Sequence, residues 1–217
     1  MSKPLSTEEI QELRVAWLTA AAYLRLDNRV EYWFSKALEQ YSEPHRHYHV
    51  LRHLHHMLSF LHSADDLGDE FWALCVFFIF FHDWVYRTEF TKIPAHSEKV
   101  SAHIGYCSLR DMGLDEVRSR LVEKWILAST HKGDVDGANT YVLDLDLLIL
   151  STSEEAYDEY CSDVRKEFGW VPEEQWRKGR ADFLKGMLAK DKIFMTRPLE
   201  ENAARANMAR ELQRLEF

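Results

Sequence analysis

The chain has 217 residues, of which 46% are hydrophobic and 29% charged, a globular composition that excludes a disordered chain and suffices for a sizeable core. Only 8 Gly and 5 Pro punctuate it, too few for an all-β sandwich or barrel, which needs a turn signal every ~8–12 residues. Its 27 basic and 36 acidic residues give a net charge of −9. That excludes a general nucleic-acid groove and leaves a local cationic pocket for one small anion.

In chain order, the segments predict helices. Ser6 with Glu9 three residues on is a capping box, followed by apolar residues at helical spacing through EIQELRVAWLTAAAYL. Residues 29–41 give a second amphipathic helix and Val50–Leu61 a third. Asp69 and Glu70 sit where acids favour a helix N-terminus, ahead of an 11-residue apolar run from Phe71 to Phe81. The run is shorter than the ~17–25 residues that span a bilayer, and it predicts the most buried element of the core. A helix from about Ser97 to Met112 stops at Gly113, and Asp115 starts another that runs to Thr130, where HKGDVDG breaks it. Residues 140–150 predict a short apolar helix; Thr152 with Glu155 is a second capping box, and Pro172 and Pro198 suit the first turns of the last two helices.

No Gly-, Pro- or Ser-rich linker divides the chain. The expectation is one all-α domain of roughly ten helices over 1–217, with N-terminal helices 6–42, a motif-bearing core about 45–150 and C-terminal helices 153–217. Cys75, Cys107 and Cys161 are odd in number and form no CxxC, so they are expected to be small buried hydrophobes in a reducing compartment. The first residues, MSKPLSTEEIQEL, carry no apolar signal-peptide core, which gives a cytoplasmic expectation, with no membrane contact.

Histidine is the anomaly: of 11, seven lie between positions 45 and 62. A solvated His-rich helix face accounts for most of them. Residues four apart on a helix share a face, so His49 and His53 are expected to point the same way. A second feature is His82-Asp83, which ends the apolar run. A buried carboxylate needs a cation or strong donors, and Arg87 is a nearby candidate for an ion pair. A third is the pair Asp144 and Asp146 in YVLDLDLLIL, about 200° apart on a helix, so that both cannot face one site. His131 and Lys132 follow a buried-looking helix.

The chain has no HExxH, no Glu-x-x-His pair, no P-loop, no GxGxxG and no GxSxG, and no closely spaced cysteines for structural zinc. What remains is a site assembled from a His, the His82-Asp83 pair and a later Asp, with Asp144 and Asp146 both open. Imidazoles with carboxylates suit a divalent ion such as Mn, Fe, Ni, Co or Zn, with Mg a further candidate.

The order His53, His82-Asp83, Asp146 resembles the signature of HD-domain metal-dependent phosphohydrolases. EPHRHYHVLRHLHHML, FFHDWVY, SEKVSA, ASTHK, LDLDLLIL, YDEYCSDVRKEF, KGR and ENAARANMAREL are similar to a bacterial subfamily of predicted HD phosphohydrolases, over about residues 40–215. That subfamily usually has Asn-Glu where this chain has Ser97-Glu98. The segment Tyr48–His53 also resembles the corresponding stretch of cyclic-nucleotide phosphodiesterases.

The resemblance implies His53, His82, Asp83 and Asp146 as metal ligands, with Asp83 also serving catalysis, and His49 as the acid that protonates the leaving oxygen. It selects Asp146 over Asp144, and leaves Glu98, His131 and Asp144 as candidates for an outer shell or a second metal. Lys132, Arg165, Arg180 and Arg205 are phosphate-binding candidates. The implied activity is hydrolysis of a small phosphorylated metabolite, nucleotides included, by a metal-activated hydroxide. Two alternatives stand beside it: a non-catalytic metal-binding regulatory module on the same fold, and a plain bundle with a buried Asp83–Arg87 pair. A homo-oligomer is compatible with either.

Overall fold

The structure, a computed structural model, describes residues 4–62, 67–90, 96–130 and 137–216. Among these residues there are ten α-helices and no strand, so the all-α expectation is met. No described helix is long and apolar enough to cross a membrane. The chain separates into two compact units with a boundary between Val135 and Asp136, inside the expected 45–150 core.

The first unit holds α1 (Thr7–Tyr23), α2 (Val30–Gln40), α3 (Leu51–His62), α4 (Asp69–Phe81), α5 (His96–Asp111) and α6 (Glu116–Ala128). The capping box at α1 forms as predicted: the Glu9 N–H donates to Ser6 Oγ and the Ser6 N–H to Glu9 Oε2. Asp115 caps α6. Gly113, at φ +102°, ends α5 in a conformation open to glycine and strained for other residues.

Helix α4 is apolar on all sides, and such a helix is stable only when surrounded. Accordingly α1, α3, α5 and α6 all pack on it, and Ala73 through Phe81 are buried without a break. Trp17 of α1 meets Phe77 and Phe80 edge-on, with centroids 4.9 and 5.0 Å apart. Each large side chain so buried stabilises the fold by about 1.5–3 kcal/mol. The result is a rigid post whose C-terminal end presents His82 and Asp83.

The second unit holds α7 (Gly137–Leu147), α8 (Glu154–Glu167), α9 (Glu173–Leu188) and α10 (Glu201–Glu216). A 3-10 turn, Leu148–Ser151, follows α7 and packs under α10. Thr152 terminates that turn, so the cap of α8 is Ser153 instead of the expected Thr152: the Ala156 N–H donates to Ser153 Oγ, while the Thr152 hydroxyl donates to the Ile149 carbonyl. Pro172 is the residue before α9, and Pro198 opens a short 3-10 turn leading into α10.

A buried ion pair ties α9 to α10. Arg180 Nε donates to Glu211 Oε1 at 2.8 Å and Nη2 to Oε2 at 3.0 Å, while the Tyr157 hydroxyl donates to Oε2 at 2.6 Å. Of the cysteines, Cys75 is buried as expected, Cys161 is half-buried and Cys107 is exposed on α5. Burial pushes the Cys161 thiol up to about 12, which leaves it a poor nucleophile.

Candidate metal centre

His53 lies in the first turn of α3, and His82 and Asp83 follow the last turn of α4. Both imidazoles are buried and Asp83 is half-buried. The three side chains offer ligand atoms within 4.8 Å of one another. His53 Nε2 lies 3.1 Å from His82 Nε2, and His82 Nε2 lies 3.2 Å from Asp83 Oδ2. Ligand atoms bound to one ion at ~2.0–2.2 Å, and 90–110° apart about it, are separated by about 2.9–3.5 Å. The His53–His82 and His82–Asp83 spacings fall in that range, and the three side chains together could hold a metal ion.

The orientation of His82 is fixed from behind. Its Nδ1 lies 2.9 Å from the Ile79 carbonyl, which can only accept, so Nδ1 carries the proton and Nε2 presents its lone pair to the cluster. The ring also stacks on Phe78, with centroids 5.3 Å apart.

His49 reaches the same place by a route other than the one expected. Helix α3 begins at Leu51, so His49 lies in the bend before it, and helical spacing from His53 does not place it. The bend still brings its Nε2 to 3.7 Å from Asp83 Oδ2. The ring stacks on Tyr86 at 3.9 Å between centroids. Trp84, the other aromatic beside the motif, is buried against Phe81 and Trp33.

The segment from Glu43 to His49 is fastened along the segment from Asp83 to Arg87. His45 Nε2 donates to the Tyr86 carbonyl at 2.8 Å, and Arg87 Nη2 donates to Glu43 Oε1 at 2.9 Å. Arg87 is thus engaged by Glu43 and His45, and the Asp83–Arg87 pair does not form. Arg46, which the sequence reading passed over, lies buried between the two segments and donates to the backbone carbonyls of Asp83 and Trp84. The one hint in the sequence was a lone arginine three residues after Glu43; its partners are carbonyls some 40 positions away, which no motif encodes.

Helix α5 braces the far side of the same segment. Ser101 Oγ accepts from the Val85 N–H at 2.9 Å, and Ser97 Oγ accepts from the Arg87 N–H at 3.3 Å. Ser97, where the resembled subfamily has Asn, is here a backbone brace. Glu98 is half-buried in the first turn of α5.

The remaining sequence candidates fall in the second unit or outside the described residues. Asp146 is half-buried on α7. Asp144 is buried and accepts from the Met195 N–H at 3.1 Å, the Thr196 N–H at 2.6 Å and the Thr196 hydroxyl at 2.6 Å. Its carboxylate ties α7 to the segment that follows α9.

The three arginines expected to bind phosphate are likewise committed to the fold. Arg180 is buried against Glu211. Arg165 donates to the Phe168 and Val171 carbonyls past the end of α8 and to Glu173. Arg205 donates to Glu201, to the carbonyl of Leu188, the last residue of α9, and to those of Lys190 and Asp191 beyond it. His131 and Lys132 lie outside the described residues.

No protein-family model, curated protein or solved structure matches this chain.

Proposed function

We propose that the chain is a metal-dependent phosphohydrolase acting on a small phosphorylated metabolite. The observation that carries this reading is the clustering of His53, His82 and Asp83, whose ligand atoms lie within 4.8 Å of one another, with His82 Nε2 3.1 Å from His53 Nε2 and 3.2 Å from Asp83 Oδ2. The resemblance of the surrounding motifs to HD-domain phosphohydrolases supplies the reaction class.

His53, His82 and Asp83 would hold the ion, which supplies Lewis acidity: it polarises a phosphoryl oxygen and makes water nucleophilic near neutral pH. The chain's own contributions are positional and protic. The Ile79 carbonyl holds His82 in the tautomer that directs Nε2 inward. His49 is partly exposed, flat against Tyr86 and beside Asp83, so its Nε2 can carry a proton to a departing oxygen. The net charge of −9 favours a small anionic substrate in a local pocket over a polymer gripped across the surface.

The test is a screen of phosphorylated metabolites, nucleotides included, with the protein loaded in turn with Mn, Co, Ni, Fe and Mg. Hydrolysis that requires the ion and is abolished by a chelator is the expected outcome. Stoichiometric metal with no turnover on any substrate would make the chain a metal-binding module instead.

A further inference from the structure

Arg46 is the least conspicuous residue around the candidate centre and the most connected. Its side chain is fully shielded, at 0% exposure. Nη1 donates to the Asp83 carbonyl at 2.8 Å and to the His49 carbonyl at 3.3 Å; Nη2 donates to the Trp84 carbonyl at 2.7 Å; Nε donates to Glu43 Oε2 at 3.1 Å. One guanidinium therefore joins the backbone of a proposed ligand, the backbone of the proposed acid and the residue after the ligand.

The chemistry explains why the group is there. The carbonyls just past a helix C-terminus have no partner within the helix, and buried acceptors must find donors elsewhere. Asp83 and Trp84 follow the end of α4 in that state. A planar fork reaches two successive carbonyls at once, which a single ammonium cannot do. The buried positive charge is balanced by Glu43, whose other oxygen takes Arg87. The guanidinium also lies 4.9 Å from the Tyr41 ring centroid.

We propose that Arg46 is a positioning residue of the metal centre: it sets the register between the His49–His53 segment and the His82–Asp83 turn. This inference rests on the metal-centre reading. His82 is already held by Ile79 and Phe78, whereas Asp83 stands beyond the helix end, where the backbone carbonyl is the handle by which its carboxylate is aimed. Without the fork the Asp83 and Trp84 carbonyls lose their donors, and the braces that remain, at Val85, Tyr86 and Arg87, lie beyond the residue whose carboxylate must face His82. Supports behind metal ligands typically contribute about 10–100-fold in affinity.

The experiment titrates Co²⁺ into wild type, Arg46→Ala and Arg46→Lys, following affinity, visible absorption bands and helicity together. Arg46→Ala is expected to keep its helicity, to bind Co²⁺ about 10–100-fold more weakly, and to show shifted bands from a distorted ligand field. Millimolar guanidinium ion should return both affinity and bands toward wild type by refilling the vacated fork site. Arg46→Lys retains the charge but reaches one carbonyl, so it should fall between the two.

Wild-type affinity and bands in either folded variant would overturn the proposal while leaving the metal centre standing. Failure of both variants to fold would also overturn it, making Arg46 a residue of the fold alone. A wild type that binds no Co²⁺ would overturn the metal-centre reading itself.

Discussion

The Nε2 atoms of His53 and His82 face one another at 3.1 Å in the interior of the first unit. The His82 nitrogen carries a lone pair, because its Nδ1 proton is given to Ile79. The contact is a hydrogen bond when His53 Nε2 carries a proton, and a bound cation would take that proton's place. The contact joins the start of α3 to the end of α4, and buried polar atoms are costly unless they are paired.

Ligand and acid roles separate experimentally. His53→Ala and His82→Ala are each expected to lose the metal, measured by elemental analysis of purified protein. His49→Ala should retain it and lose turnover by about 10²–10⁴-fold, most severely on substrates with poor leaving groups. Metal content and rates on alkyl and nitrophenyl phosphates should be measured on the same preparations. An empty site in folded His49→Ala would make His49 a ligand.

Asp144 gives a different kind of test, because its bonds identify it as part of the fold. Removing the carboxylate in Asp144→Ala strips three donors of their acceptor. Bonds to a charged acceptor are worth about 1.5–3 kcal/mol each, and water recovers part of that at the exposed Met195 and Thr196. A loss of about 2–3 kcal/mol by urea denaturation is expected, with metal content unchanged. Loss of metal from folded Asp144→Ala would return it to the ligand set.

Much of the architecture was legible because it is encoded locally. The capping box at Ser6, the Asp115 cap, the Gly113 stop and the unbroken apolar run of α4 each depend on residues within a few positions of one another. The His82-Asp83 pair was legible for the same reason: two polar residues ending a helix that must be buried. What was hidden depends on distant partners. Arg165, Arg180 and Arg205 were candidates for phosphate binding in the sequence; two of them donate chiefly to carbonyls at helix ends and the third to Glu211. Thr152, with Glu155 three residues on, is the better cap in sequence, but it ends the 3-10 turn and Ser153 takes the cap of α8.

The Arg180–Glu211 pair makes a prediction about acid. Burial alone would raise the Glu211 carboxyl, but the hydrogen bonds and charge of Arg180, with the Tyr157 hydroxyl, outweigh it and hold the group below its ordinary value. A carboxyl depressed in the folded state stabilises the fold fully above its unfolded value of about 4.3, and the contribution fades as pH falls through the lower folded value. Glu211→Gln should therefore flatten the acid limb of stability against pH. Arg180→Met, which strands the carboxylate, should cost about 3–5 kcal/mol at neutral pH, and adding Glu211→Gln should recover part of it. Additive losses in the double variant would show that the two residues are not coupled.

The end of α4 is also fixed by contact with α5, at Gly105. A Cβ built there would lie 3.1 Å from Phe81 Cβ and 3.0 Å from Ile126 Cδ1. Ordinary carbon contacts are about 3.5–4.0 Å, so the three helices meet where a side chain has no room. Ile126 Cδ1 is the tip of a flexible side chain and can swing aside. Phe81 Cβ is anchored to the last turn of α4, one residue before His82, and can move only with the backbone. Gly105→Ala gains helix propensity of about 1 kcal/mol, but overpacking a rigid contact costs about 1–3 kcal/mol. A net loss of stability is expected, read as a lower thermal midpoint. Adding Ile126→Val removes one of the two clashing atoms and should recover part of that loss; the remainder belongs to Phe81. A more stable Gly105→Ala would mean that α4 and α5 separate without strain, and that the position of His82 is not set by this contact.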